Sequence, residues 1–526
     1  GIDDYLYRLS KDSSYWQKAV DPNNPALGTA AAGAAVPGDA SEAKFKYTVT
    51  PPSVTLNGTV KLRVNGNVRN NNRTIEATLR RDGFLDYLYF SKFETVDPLS
   101  YSTTGSPDRN WADANCANRY YYAVGSSGQP GYIPPRVTSG STTCNEIRWV
   151  TGDVLDGPLH TNDALRVDGD PIFKKKVTTS WAKSLATSSD HRWIKHDSTS
   201  STPDFQDPEN DAGGTEPEKD EPIIATRLDP PADNSELESD ALAEGCVYDG
   251  PTSIKLKPGT TGKATWDVVS PGTTYSAACG GGSTTAQTNI VGPATFNGVI
   301  YVRNKTGTCP YSTHPNASYK YPQGLPVPVI ETVATSGLST TQRRDITTYD
   351  CLAGDAFVQG TLNGQLTIGA KNDIIITNHI KYVDTASSSD DVLGLITNNF
   401  IQVIHPVRLK DGNYTNITGF WDSTAHPTAS DRDPVIMAAM LSVKHSFKVQ
   451  NHNYGARPGS SANLLHVVGA IAQIYRGPVG TSGSPGTGFL KDYKYDSRLK
   501  LLSPPHFLDP VQSAWKVKTW AEVKNN

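Results

Sequence analysis

The first hundred residues change from helical to strand spacing of their apolar side chains. One face of a helix, with the i, i+3, i+4, i+7 spacing, is formed by Ile2, Tyr5, Leu6 and Leu9. An Ala/Gly/Pro-rich connector follows, and then "KFKYTVT" alternates apolar and polar positions. Asn57-Gly58 lies between two further alternating runs, which is a strong hairpin signal. Residues 1–100 are therefore predicted to form a short helix, a linker and an antiparallel sheet of about four strands.

From Glu146 the pattern changes to short apolar pieces separated by Gly, Asp and Asn, as in "EIRWVTGDVLDGPLHTND". The same pattern resumes at residue 298 and dominates residues 351–480. A unit of two short strands cannot bury its apolar face alone, whereas stacked units share a continuous core. Gly and Asn suit the corners because they tolerate positive φ. The repeat predicts an irregular parallel β-helix with loop insertions, in which Asn side chains hydrogen-bond along the axis.

These patterns divide a mostly β chain into five regions. The predicted regions are the helix, linker and sheet (1–100), a loop region with the first rungs (101–180), an acidic, loop-rich insertion with a small disulfide-linked β segment (181–295), the main β-helix (296–510) and a C-terminal strand (511–526). The insertion holds eight carboxylates between Asp204 and Glu221, typical of an exposed, mobile segment. A structural calcium ion is the one cofactor considered there, although the stretch lacks the spacing of an EF-hand loop.

Charge and cysteine content narrow the class of protein. With 49 basic and 53 acidic residues, the net charge of −4 argues against a nucleic-acid partner. Six cysteines without a CxxC pair favour disulfides in an oxidising compartment. Fifteen pairings are open, and we predict the sequential ones: Cys116–Cys144, Cys246–Cys279 and Cys309–Cys351. The chain shows no signal peptide and no apolar run of membrane-spanning length, and because it begins at Gly1 we expect a processed or truncated product.

No motif of a familiar enzyme class is present. The sequence contains no GxSxG, no complete P-loop and no GxGxxG between a strand and a helix. Glycan cleavage is the enzymatic alternative, since it needs clustered carboxylates projecting from neighbouring rungs. The candidates for that chemistry are Asp153, Asp156, His160 and Asp163. Asp and Asn also cap their own turns at corners, and we favour that interpretation of "GDVLDGPLHTND".

Histidines in the apolar runs are candidate metal ligands. His379, His405, His445 and His466 could form one column if their rungs were stacked in register. Their spacings of 26, 40 and 21 are too uneven to place them on one face, so no metal site is predicted. The aromatic run "NRYYYAV" could stack on sugars, although aromatic side chains more often fill cores.

Several segments carry a family resemblance. "GIDDYLYRL" followed by "YW" resembles the point at which the long N-terminal helix of a type IV pilin-like protein leaves the membrane. "GQLTIGAKNDIIITNHIKY", "LLHVVGAIAQIYRGPVG" and "YKYDSRLKLLSPPHFLDPVQSAW" resemble exported minor-pilin-like proteins of Gram-positive, mostly actinobacterial, envelopes, with a β-helical ectodomain on a pilin-type stem. The resemblance covers nearly the whole chain. It implies a membrane-inserted helix upstream of Gly1, which would be the only contact with the membrane.

The expected function is a structural or adhesive one at the cell surface. The chain would be a minor or tip subunit of a type IV pilus-like or related extracellular filament, and not an enzyme. Its partners would be other pilin-like subunits or filament components, and a surface glycan or a host or substratum ligand. Partner helices would pack against the assembly face formed by Ile2, Tyr5, Leu6 and Leu9. The alternatives are an envelope-anchored β-helix enzyme acting on glycans and a passive envelope spacer.

Overall fold

The protein is mostly β, which confirms the predicted fold class. The computed structural model describes residues 1–11, 15–51, 59–69, 71–81, 83–102, 105–187, 189–196, 201–210, 220–259, 263–308, 330–332, 350–405, 407–410, 413–416, 433–453, 464–481, 486–511 and 515–524. Strands account for 41% of the chain and helices for 9%. No helix among these residues combines the length and the apolar character that a membrane crossing requires.

The described elements are three α-helices and a long series of short strands. The helices are α1 (Ile2–Lys11), α2 (Arg109–Asn115) and α3 (Ser235–Glu244). The strands of the first half are β1 (Ala34–Val36), β2 (Asp39–Thr50), β3 (Val60–Val68), β4 (Asn71–Arg81), β5 (Tyr89–Val96), β6 (Trp149–Val150), β7 (Val154–Asp156), β8 (Leu159–Thr161), β9 (Leu165–Asp168), β10 (Ile172–Phe173), β11 (Val177–Thr179), β12 (Trp193–Lys195), β13 (Asp204–Phe205), β14 (Ile223–Ile224), β15 (Cys246–Asp249) and β16 (Thr252–Lys257). Those of the second half are β17 (Thr265–Val269), β18 (Gln287–Ile290), β19 (Val299–Arg303), β20 (Ile330–Thr332), β21 (Ala356–Leu362), β22 (Gln365–Ala370), β23 (Ile374–Tyr382), β24 (Val392–Thr397), β25 (Ile401–Val403), β26 (Val407–Lys410), β27 (Asn413–Asn416), β28 (Val435–Ser442), β29 (Phe447–Val449), β30 (Leu464–Arg476), β31 (Leu490–Tyr495) and β32 (Trp515–Val523).

An antiparallel sheet and helix α1 form a small N-terminal module. The sheet has the order β1-β2-β3-β4-β32, so the C-terminal strand pairs with β4 and forms one edge of the sheet. Alternation places Phe45 and Tyr47 on the same face as Leu62, and all three are buried. Helix α1 covers this face, because its Tyr5 and Leu9 belong to the same apolar cluster. Both ends of the described chain therefore meet in one module.

The rest of the core is a parallel β-helix whose inward side chains stack in register. One column of paired residues runs through nine rungs: Cys246, Ile300, Ile368, Leu395, Met440, Ile471, Tyr89, Leu159 and Val177. Every member is at most 5% exposed. The stacked faces therefore bury a continuous apolar core, as the repeat pattern requires.

The order of the rungs along the axis differs from their order in the sequence. Residues 246–495 build one half, and residues 89–224 build the other half beyond it. Strand β30 pairs in parallel with β31 and also with β5, although β5 lies almost 400 residues earlier in the chain. Strands β7 and β8 then stack on β31 and β5. We call the contact of β30 and β31 with β5, β7 and β8 the joint.

Residues 225–245 connect the end of one half to the start of the other, and we call them the strap. Near its beginning, Asn162 Nδ2 donates to the carbonyl oxygen of Leu228 (2.7 Å). Further on, the backbone N–H of Asn234 donates to Asn398 Oδ1 (3.0 Å). The strap ends in α3, which packs on β19 and β15. It therefore runs back along the β-helix from the level of β8 to that of β15.

The region boundaries differ from the predicted ones at two places. Strand β5, within the predicted region 1–100, belongs to the β-helix and not to the antiparallel sheet. Strands β12, β13 and β14, within the predicted insertion, stack in parallel on the preceding rung. Strands β15 and β16 form another rung, which β17 and β18 extend with antiparallel pairing. The predicted insertion, residues 181–295, thus supplies both terminal rungs of the described β-helix. The acidic stretch considered for calcium lies partly outside the described residues.

Two disulfides fix the excursions from the rungs. They join Cys116 to Cys144 and Cys246 to Cys279, two of the three sequential pairs. Cys351 is also disulfide-bonded, whereas Cys309 lies outside the described residues.

Candidate functional site

Asp163, a candidate for glycan chemistry, is fully buried and its carboxylate is saturated. Oδ1 accepts hydrogen bonds from the backbone N–H groups of Tyr121 (2.7 Å) and Ala164 (2.9 Å). Oδ2 accepts from the backbone N–H of Glu94 (2.9 Å) and from the guanidinium of Arg136. Both oxygens are engaged within the chain, so this side chain orders the corner after β8.

The other two candidate aspartates each pair with a lysine. Asp153 Oδ2 accepts from Lys491 Nζ (2.6 Å) and from the backbone N–H of Val150 (3.1 Å). Asp156 is partly exposed and pairs with Lys174 (3.4 Å). The three candidate aspartates are thus held by three different cations: Arg136, Lys491 and Lys174.

His160 is fully buried between two polar side chains. Its Nδ1 lies 2.8 Å from Thr178 Oγ1, and its Nε2 lies 3.1 Å from Asn162 Oδ1. Burial lowers the pKa of His160 to about 4, so the ring is neutral at physiological pH. The ring also stacks on Phe90 at 5.9 Å. These contacts describe a packed core residue.

Buried ion pairs connect the two halves of the β-helix across the joint. Arg476 of β30 pairs with Glu94 of β5 at 3.1 Å, and both side chains are at most 1% exposed. Lys491 of β31 pairs with Asp153, which precedes β7, at 2.6 Å. In each pair the cation comes from one half and the anion from the other. Glu94 and Arg476 were missed by the sequence analysis, because 382 residues separate them and neither belongs to a motif.

A polar ladder follows the corners before β21, β23 and β25. Asp355, 1% exposed, accepts at Oδ1 from Asn372 Nδ2 (2.6 Å). Asn372 Oδ1 in turn accepts from Asn399 Nδ2. Such bonding along the axis is what the sequence analysis expected of stacked Asn side chains. The corner dipeptides Gly-Asp and Asn-Asp, 18 residues apart, are the signal by which Asp355 and Asp373 could have been found.

Asp355 and Asp373 form a pair of interacting carboxyl groups on adjacent rungs. Asp373 accepts from the backbone N–H of Phe400 (2.9 Å) and from Gln402 Nε2 (2.7 Å). Burial, and then repulsion by Asp373, raises the pKa of Asp355 to about 8. At neutral pH the Asp355 carboxyl therefore carries a proton.

This pair makes stability depend on pH in a defined direction. Between about pH 4 and pH 8, the folded protein binds a proton at Asp355 that the unfolded chain releases, so the free energy of unfolding falls as pH rises. Asp355→Asn is expected to remove this contribution and to raise the free energy of unfolding at pH 8, relative to wild type, by about 1 kcal/mol or more. Urea denaturation across this range measures it. Asp390→Asn, at an exposed carboxyl, is the control, and equal slopes for Asp355→Asn and wild type would contradict the assignment.

The four histidines do not converge. His379 Nδ1 accepts from the backbone N–H of Val435 (3.0 Å), and His405 lies against the carbonyl oxygen of Asn451 (3.3 Å). His445 lies 3.1 Å from Asp97. His466 contacts two carboxylates, Asp433 and Asp492, whose hydrogen bonds raise its pKa to about 9. Within the described part of the chain, no three His, Cys, Asp or Glu side chains are grouped as a metal site would require.

The predicted assembly face of α1 packs against the chain's own sheet. Tyr5 and Leu9 are buried, and the Tyr5 ring meets the Tyr47 ring edge-on at 5.3 Å. Ile2 and Leu6 are half-buried at the margin of the same cluster. The helical spacing predicts a surface for partner helices. In the structure, two of its four residues, Tyr5 and Leu9, are instead buried inside the subunit. A five-stranded apolar face needs a cover, and α1 supplies it.

Comparison with known proteins adds a distant likeness. No protein-family model matches the chain, and no curated protein matches it. Among solved structures, the competence-associated pilin ComZ from Thermus thermophilus aligns with 99% of this chain and 95% of its own, at 10% sequence identity and a TM-score of 0.27. A likeness at that level carries no argument about this chain, whose function has to be inferred from its own contacts.

Proposed function

We propose that the chain is a structural subunit, minor or at the tip, of a type IV pilus-like filament on the cell surface. The observation that carries the proposal is the N-terminal module, in which α1 lies on an antiparallel sheet that the C-terminal strand β32 completes. This module holds both ends of the described chain, and its apolar cluster is distinct from the core of the β-helix. Such a division suits a stem that assembles and an ectodomain that is displayed.

The physical properties of the β-helix support a mechanical role. Stacked parallel strands give one continuous core, and each rung is held by its neighbours over the whole length. The disulfide Cys246–Cys279 fastens a terminal rung, and Cys116–Cys144 fastens the excursion beside the joint. Disulfides persist in oxidising surroundings and stabilise domains there. A stiff body with covalent links suits exposure outside the cell.

Assembly would use the part of α1 that the sheet leaves open. Leu6 is half-buried, and Tyr7 is 63% exposed on the outer side of the helix. An exposed aromatic side chain beside a half-buried aliphatic one suits contact with another pilin-like subunit.

Filament incorporation tests this role. Tyr7→Asp is expected to leave the fold unchanged and to lower the amount of the chain found in filaments about tenfold or more. Immunogold electron microscopy of native envelope material measures that amount. Tyr275→Asp, at an equally exposed ring far from α1, is the control. Wild-type protein found only as free monomers would rule the proposal out.

One observation favours the alternative, a glycan-cleaving enzyme. Asp355 and Asp373 lie on adjacent rungs and one of them is protonated, which is the combination that acid–base cleavage of a glycosidic bond needs. Hydrogen bonds within the ladder occupy three of their four oxygens, which weakens this candidate. Loss of any detected hydrolysis in Asp373→Asn, with an unchanged thermal transition, would favour the enzyme over the filament subunit.

A further inference from the structure

A cleft of about 580 Å³ opens on the flank of the β-helix beside the joint. Lys92 of β5 lines it together with five further segments: 97–99 after β5, 109–118 including α2, 230–232 of the strap, 443–445 after β28, and 474–475 at the end of β30. We call it the flank cleft. Of the candidate residues in the sequence analysis, only His445, a candidate metal ligand, lines it.

The walls of the flank cleft are fixed by contacts within the chain. Asp97 is fully buried and accepts from the backbone N–H of Leu99 (2.9 Å) and from Ser446 Oγ (3.0 Å). Asp108 caps the N-terminus of helix α2, where its side chain accepts from the backbone N–H of Trp111 (2.8 Å), and the helix ends beside Cys116, which is in a disulfide. The cleft is therefore preformed, and ligand binding costs little conformational entropy of the protein.

The floor is apolar and the rim carries polar groups without partners. Val443, Ile474 and Tyr475 are buried, at most 8% exposed, and form the floor. On the rim, the side chains of Asn110, Asp113 and Lys444 are exposed and make no hydrogen bond or ion pair with any other described residue. These are the properties of a small-molecule site: an apolar surface with a few polar groups around it.

We propose that the flank cleft binds a neutral carbohydrate residue of a surface glycan. One face of a pyranose ring is apolar and suits the floor at Ile474 and Tyr475, while its hydroxyls suit an amide, a carboxylate and an ammonium together. A purely apolar ligand would leave the rim groups unpaired. The three cations that line the cleft, Lys92, Arg109 and Lys444, are balanced by three carboxylates: Asp97, Asp113 and the Lys92 partner Asp229. The lining is therefore neutral overall, which suits an uncharged ligand. The inference names a ligand class for the adhesive side of the proposed function, and rests on that function for its setting at the cell surface.

A row of aromatic rings extends from the floor of the cleft along the flank. The Tyr475 ring stacks on Phe93 (5.2 Å), and Phe93 contacts Tyr120 (4.8 Å). Tyr120 stacks on Tyr122 (5.6 Å), and Tyr122 stacks on Trp181 (5.8 Å). The last two rings are half-buried and thus present part of their surface to solvent. They form a second platform, so the site fits an oligosaccharide better than a single sugar.

Glycan binding by the isolated full chain tests the inference without any filament. A glycan array is screened with wild type and with Ala232→Trp, which fills the cleft from an exposed position of the strap. At least one neutral oligosaccharide is expected to bind wild type and not Ala232→Trp. For that oligosaccharide, Lys444→Ala and Asp113→Ala are each expected to raise Kd about tenfold or more, measured by calorimetry. Lys255→Ala, an exposed lysine on β16, should leave Kd unchanged.

Oligosaccharides of different length distinguish the flank cleft from the second aromatic platform. Trp181→Ala is expected to raise Kd for the hexasaccharide several-fold and to leave Kd for the disaccharide of the same series unchanged. The inference is overturned if no glycan binds wild type, if Ala232→Trp binds the same glycans as wild type, or if only charged ligands bind. Thermal transitions of all variants exclude misfolding. Failure here with the chain still present in filaments would reject the glycan site alone, whereas absence from filaments would reject the structural role.

Discussion

Replacing Arg476 with methionine is expected to lower the free energy of unfolding by about 3–5 kcal/mol, because it leaves Glu94 as an unpaired buried charge. Arg476 NH1 donates to Glu94 (3.1 Å) and to the carbonyl oxygen of Ile147 (2.7 Å), and its guanidinium lies 4.2 Å from the centre of the Trp149 ring. All these partners belong to the half of the β-helix built by residues 89–224. Urea denaturation followed by tryptophan fluorescence measures the loss.

Two further variants show whether the loss comes from the buried charge. Glu94→Gln combined with Arg476→Met removes both charges, and the double variant is expected to recover a large part of the stability lost in Arg476→Met. The more exposed pair Arg148–Asp168, at 3.2 Å, is the matched control, and Arg148→Met should cost at most about 1 kcal/mol. If Arg476→Met and Arg148→Met cost the same, the joint does not depend on its buried ion pairs.

The fold class could be predicted because it depends on local periodicity, whereas the order of the rungs could not. Two short strands between Gly and Asn corners specify one rung wherever they occur. Which rung lies beneath depends on contacts such as Ile471 with Tyr89, between residues almost 400 positions apart. Any two rungs whose apolar faces have similar widths could stack on each other and still match the periodicity of the sequence. The joint therefore cannot be predicted from a single sequence.

The candidate carboxylates show the same limit at the level of single side chains. Asp153 and Asp163 have neighbours in the sequence that fit both a corner residue and a catalytic acid. Their deciding partners, Lys491 and Arg136, are 338 and 27 residues away. A buried aspartate with a cation beside it orders the chain, whereas the same residue facing an open groove could act on a substrate. Only the tertiary partner distinguishes these roles.

Glycine at position 469 is the second feature on which the joint depends. Gly469 ends the pairing of β30 with β31, and two residues later β30 pairs with β5, so the strand changes partners here. A Cβ atom at this position would lie 1.8 Å from the carbonyl oxygen of Ala438 on β28. Because backbone cannot yield as a side chain does, Gly469→Ala is expected to lower the free energy of unfolding by about 3 kcal/mol or more. Gly66→Ala on β3, where the nearest atom is 3.9 Å away, should change it by less than about 0.5 kcal/mol. Equal midpoints of urea denaturation for the two variants would mean that β28 and β30 do not approach each other this closely.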